Sequence, residues 1–100
     1  MYFFVRTSNP RPTFHLDMTA EERATMTQHV AFWTEKAGRG QAPVFGPVAD
    51  PAGMYGILIA NVADEGELKS LLARDPARDL WTYSYWPMAN AVTERMASAH

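Results

Sequence analysis

The chain has 100 residues, 47% hydrophobic and 20% charged, with nine basic against eleven acidic side chains and a net charge of −2. That size and balance describe one folded domain rather than a disordered segment, and the scattered basic residues argue against a nucleic-acid or anionic-membrane surface. The lack of cysteine excludes a disulfide framework, a thiolate nucleophile and a cysteine-ligated metal.

Met1 to Val5 is apolar but too short for a signal peptide or a spanning helix, so a soluble cytoplasmic protein is expected. The aromatic and β-branched run Tyr2 to Arg6 predicts a strand. Asn9-Pro10-Arg11-Pro12 cannot continue into a helix. Thr19 followed by Glu22 forms a capping box that opens the first helix, and Met26, Val30, Trp33 and Ala37 define its expected buried face. Gly38 and Gly40 close it. Val44 to Val48 reads as a strand, placed at a sheet edge because Pro47 lacks a ladder donor. After the turn Asp50-Pro51-Ala52-Gly53, the run Met54 to Val62 predicts a central strand. Asp64 and Glu67 predict a second capping box, opening a helix that turns Leu68, Leu71 and Leu72 inward. Leu80 to Trp86 predicts the last strand. Beyond Pro87, residues 88–100 form an extension, either a short helix through Val92 and Met96 or a mobile tail.

The order βαββαβ points to an α+β, ferredoxin-like domain over residues 1–87: a four-stranded antiparallel sheet with two helices on one face. Both faces of the strands are apolar. Trp81, Tyr83 and Tyr85 oppose Leu80 and Trp86, and Tyr55, Ile57 and Ile59 oppose Leu58, Ala60 and Val62. Two helices cover one face, so a second copy of the chain is expected to cover the other as a homodimer. The aromatic stripe Trp81, Tyr83, Tyr85 is assigned to packing at that interface rather than to stacking of a ligand or base.

Two polar residues stand out. His29 borders the apolar seam of the first helix. Asp75 falls on the apolar stripe of the second, in its last turn before Pro76, where burial and the helix dipole both disfavour an unpartnered carboxylate. The bland readings are a boundary histidine bonded to a carbonyl and a carboxylate capping its own Asp-Pro turn. The register of Asp75 places it toward the first helix, so a His29–Asp75 pair suited to general acid–base chemistry is expected. His15, His29 and His100 lack the short spacing of a metal site, and convergence of His15, Asp17 and His29 on a metal is disfavoured. Gly38-Arg39-Gly40 follows a helix instead of preceding one, so it is no phosphate loop, and no serine sits in a nucleophile elbow.

His29, Gly46-Pro47, the glycine-flanked turn into Gly53–Val62, and Asp75-Pro76 follow one another as in the YCII-like proteins of the dimeric α/β-barrel superfamily, which the chain resembles from residue 1 to about 87. The resemblance implies a dimeric α/β barrel, with His29 and Asp75 as a catalytic dyad in a pocket near the dimer interface. It also implies activity of the lyase or dehalogenase type on hydroxylated aromatic rings, without metal or organic cofactor. The candidate substrate-binding set is Arg11 and Phe14 from the long loop at 7–17, Gly46 and Pro47, and the aromatic walls Trp33, Tyr83 and Trp86. The 7–17 loop is longer than the connection the resemblance leads one to expect; it is either a stiff lid, with Arg11 meeting an anionic substrate, or a wrap around the subunit edge. Elimination, isomerisation or tautomerisation of a small polar or hydroxylated aromatic substrate is the expected chemistry. The alternative is a non-catalytic dimeric module that binds a small ligand in the same pocket.

Overall fold

Alternating apolar residues pair β1 (Tyr2–Ser8) with β3 (Tyr55–Asn61) on one side and β4 (Thr82–Pro87) on the other in a computed structural model that describes residues 1–98. β2 (Val44–Val48) pairs only with β3, giving the antiparallel order β2-β3-β1-β4. Pro47 therefore sits on an edge, where its missing N–H breaks no ladder. α2 (Ala20–Gly38) and α3 (Glu65–Arg74) pack on one face, over Phe3, Val5, Leu58, Ala60 and Val62. This is the ferredoxin-like α+β arrangement.

The helix starts follow from their caps. The Thr19 hydroxyl accepts from Glu22 N–H at 3.1 Å while Glu22 accepts from Thr19 N–H at 2.8 Å, a complete capping box. Asp64 caps α3 through Glu67 N–H at 2.9 Å, but Glu67 reaches Ala63 N–H instead of the cap residue. Gly40, at φ +77°, takes the left-handed turn after α2.

Four expectations need correction. The buried seam of α2 is centred on Trp33 and Lys36, while Val30 is 49% exposed because the helix spans an open cavity there. Lys36 tolerates burial because its ammonium lies 4.9 Å from the Phe32 ring centroid and 3.5 Å from Glu35. α3 stops at Arg74, since Pro76 keeps Asp75 out of helical geometry (φ −60°, ψ 127°). The turn after Pro76 carries Leu80, and Trp81 precedes the strand, so β4 begins only at Thr82. The stripe Trp81, Tyr83, Tyr85 faces the helices rather than an interface: Tyr83 and Tyr85 pack on the main core, and Trp81 is buried in a second cluster with Phe14 and Ala77.

The loop after β1 is built, not loose. It contains a one-turn helix, α1 (Phe14–Asp17), whose Phe14 is buried edge-on against Trp81 with ring centroids 6.4 Å apart. The open face of the sheet carries Phe4 beside Ile59 and Trp86, with Arg6 between Ile57 and Ser84. Beyond β4, an exposed α4 (Glu94–Ser98) ends the described chain, so the extension holds a short helix that includes Met96 but not Val92.

Candidate active site

One helical turn apart on α2, His29 and Trp33 face the same way, toward the end of α3. There the extended backbone imposed by Pro76 turns the Asp75 side chain back under α2. The carboxylate is 0% exposed and collects four donors. His29 Nδ1 lies 2.9 Å from each oxygen, Trp33 Nε1 donates to Oδ2 at 2.8 Å, and Ala77 N–H donates to Oδ1 at 2.8 Å. The Tyr83 hydroxyl, one strand away, also donates to Oδ2. The Ala77 bond is the local turn cap, so the bland reading of Asp75 and the paired one are satisfied by the same carboxylate.

Burial, the largest single influence on Asp75, pushes its pKa up, but the bonds from His29, Tyr83, Trp33 and the Ala77 N–H together hold it below the ordinary carboxylate range. Asp75 is therefore an anion at neutral pH. An ionised carboxylate only accepts, so the Nδ1 facing it carries the proton and, in the neutral ring, Nε2 holds the free lone pair. Tyr83 is pushed strongly the other way, by burial first and then by its hydrogen bond to the Asp75 carboxylate, and stays a donor.

His29 is half-buried, its ring edge-on to Trp81 at 5.1 Å between centroids. It borders a cavity of about 310 Å³ whose walls are mostly apolar, Phe14, Met26, Phe45 and Trp81 among them. The floor is a row across the sheet: Pro47 pairs with Gly56, and Gly56 N–H donates to Thr7 Oγ1 at 2.9 Å. Gly56 has no side chain to fill the space above it.

Of the sequence-selected residues, Phe14, His29, Trp33, Gly46 and Pro47 border this cavity, while Asp75 and Tyr83 lie behind His29. Trp86 does not reach it; three residues from Tyr83, it points to the opposite face of the sheet, 54% exposed and stacked near Phe4. Arg11 does not reach it either. Its guanidinium grips Glu22 at 2.8 and 3.0 Å and Asp17 at 2.7 Å, clamping the loop to the start of α2. Arg11, then the Thr19 N–H, hold Glu22 down at a pKa of about 2. Asp17 is likewise engaged by Thr13 and Arg11, and among the described residues no three acidic or histidine side chains gather as a metal site; His100 lies outside them. Trp81, His15 and the Thr7–Gly56 floor also border the cavity, beyond the substrate-binding set that the sequence points to. Trp81 was visible only as part of an aromatic stripe, and Gly56 carries no signal without the register.

A family model described as the YCII-related domain matches residues 2–87. Among solved structures the chain is similar to 5-chloro-2-hydroxyhydroquinone dehydrochlorinase (TftG) from Burkholderia phenoliruptrix AC1100, in complex with 2,5-dihydroxybenzoquinone. The TM-score is 0.68 at 16% sequence identity, covering 91% of this chain and 96% of that one. A search of curated proteins gave no match. No described helix is long and apolar enough to cross a membrane.

Proposed function

The chain belongs to the YCII-related domain family, and from that membership we propose that it is an acid–base enzyme of the lyase or dehalogenase type acting on a small hydroxylated aromatic. The observation that carries this reading is His29 Nδ1, held 2.9 Å from both Asp75 oxygens while the ring borders a ring-sized apolar cavity. A cavity near 310 Å³ exceeds the roughly 150 Å³ that holds a benzene and suits one substituted ring. The acceptor-only carboxylate fixes the tautomer, so the neutral His29 ring presents Nε2 as the base. When Nε2 takes a proton from a substrate hydroxyl or ring carbon, the resulting imidazolium is stabilised by Asp75, which remains ionised under its other donors. For a halogenated hydroquinone, one hydroxyl proton first moves to the halogen-bearing ring carbon as that hydroxyl becomes a carbonyl. Nε2 then takes the proton of the opposite hydroxyl, its electron pair forms the second carbonyl, and the shifted ring pair expels halide from the sp3 carbon, so that the quinone, H+ and X− balance as loss of HX. The apolar walls keep water from competing for the developing charges.

The likeness to a dehydrochlorinase bound to a dihydroxybenzoquinone supports this substrate class. The open sheet face, with Phe4, Ile57, Ile59 and Trp86, serves as the homodimer surface in this reading. The test is release of chloride from chlorinated hydroquinones, followed by ion chromatography. Wild type is expected to release it, and His29→Gln to lose about 10²-fold or more of that rate. No release by the wild-type protein across such a panel, with binding retained, favours the non-catalytic ligand-binding alternative.

A further inference from the structure

Two imidazoles border the cavity, and the reading above uses only one. His15 follows the buried Phe14 in α1, and it lines the same cavity as His29. Its place is built from three directions. Phe14 is locked against Trp81, Thr13 Oγ1 donates to Asp17 at 2.6 Å, and Arg11 ties Asp17 to Glu22 on α2. Unlike His29, the His15 ring makes no hydrogen bond or ion pair among the described residues, and the residue is exposed. Most other polar side chains on the walls already serve the backbone: Thr7 bonds Gly56 and Asn9 donates to the Met54 carbonyl. Tyr55 places its ring beneath the Arg6 guanidinium, 3.8 Å away.

We infer that His15 is a substrate-binding residue that takes the second oxygen of a ring bearing two oxygen functions at opposite ends, the first being held at His29. The inference rests on the proposed acid–base role of His29 and extends it to the shape of the substrate. A planar ring between Phe14, Trp81 and Phe45 meets an anchored, half-buried imidazole at its inner end. At the solvent end it meets a free imidazole, which either donates to or accepts from an oxygen. A ring with one oxygen satisfies His29 and leaves His15 to solvent, at no cost. A ring with two satisfies both. His15 thus selects between rings that His29 alone treats alike.

The discriminating experiment compares hydroquinone, kept reduced, with phenol as probes, titrated by NMR into wild type, His15→Ala, His15→Gln and His29→Ala. His15 is exposed, so its substitution leaves the fold intact, checked in the same spectra. His15→Ala is expected to weaken hydroquinone about threefold to tenfold, the worth of one net hydrogen bond, and to leave phenol within about twofold. Glutamine, which can still hydrogen-bond, recovers part of the loss. Equal weakening of both probes by His15→Ala assigns the residue to the wall and overturns the inference, as does no effect on either, or failure of wild type to bind hydroquinone. His29→Ala is expected to weaken both probes. If it weakens neither while His15→Ala still discriminates, the His29 reading fails and the inference built on it falls for that separate reason.

Discussion

Trp33 Nε1 donates to Asp75 Oδ2 at 2.8 Å, and both side chains are fully out of solvent. The bond joins the middle of α2 to the end of α3, one helical turn from the point where His29 meets the same carboxylate. One of the donors that help keep Asp75 charged in the core therefore shares an element with the imidazole that Asp75 orients. A shift of α2 large enough to disturb one contact disturbs the other.

Asp75 should be as important to stability as to chemistry. Asp75→Ala strands the Trp33, Tyr83 and Ala77 donors, and unfolding in urea is expected to show a loss of about 3 kcal/mol or more. Trp33→Phe keeps most of the ring volume and removes one donor, for about 1–2 kcal/mol. A midpoint shift without a change in slope identifies both as losses in the native state.

The same carboxylate sets a pH window. Its folded pKa is lower than the unfolded value near 3.8, so its contribution is complete above about pH 4 and is lost as pH falls through the folded value. Wild-type stability should fall steeply with acid in that range. Asp75→Asn, although less stable at neutral pH, should show a shallower fall there. Parallel acid profiles for the two proteins count against a depressed Asp75.

Much of this site could be read before any coordinates. The capping residues and hydrophobic spacing define α2 and α3, and Pro47 marks the edge strand, because each is a local effect. Pairing of His29 with Asp75 was also legible, since each is a polar group on a seam that otherwise buries carbon. What lay beyond reach depended on register and empty space. Val30 fits the spacing of a core residue, yet it looks into a cavity that spacing does not encode. Alternation already separates the face of Tyr83 from that of Trp86, but it does not say which of the two faces the helices cover. The sequence leaves Arg11 between a substrate contact and a structural wrap, because its partners Asp17 and Glu22 meet it only once the loop folds back on α2.

Gly56 should control how deep a ligand sits. A methyl group there would come 3.2 Å from Thr7 Oγ1, which cannot retreat easily while it bonds the Gly56 N–H. Gly56→Ala is expected to cost about 1 kcal/mol of stability and, under the proposed function, to weaken binding of hydroquinone as a probe. Gly56→Val, with more volume over the floor, should bind it less still. Titration of the three proteins checks the order; equal affinities would mean that the ligand does not reach the floor.

The proposed dimer makes the sharpest demand on the open face. Ile59 stands there beside Phe4 and Val44, with Trp86 on the far side of Phe4, so a carboxylate at position 59 enters the middle of an apolar surface. In a two-fold contact each substitution appears twice, and like charges brought together across the axis add repulsion to the loss of apolar burial. Ile59→Glu should therefore convert a dimeric wild type to a monomer in light scattering at micromolar concentration. Its His29 ring resonances should stay close to wild type, because the pair with Asp75 lies on the helix side of the sheet. A wild type already monomeric under those conditions leaves the aromatic face without the second copy that this reading requires.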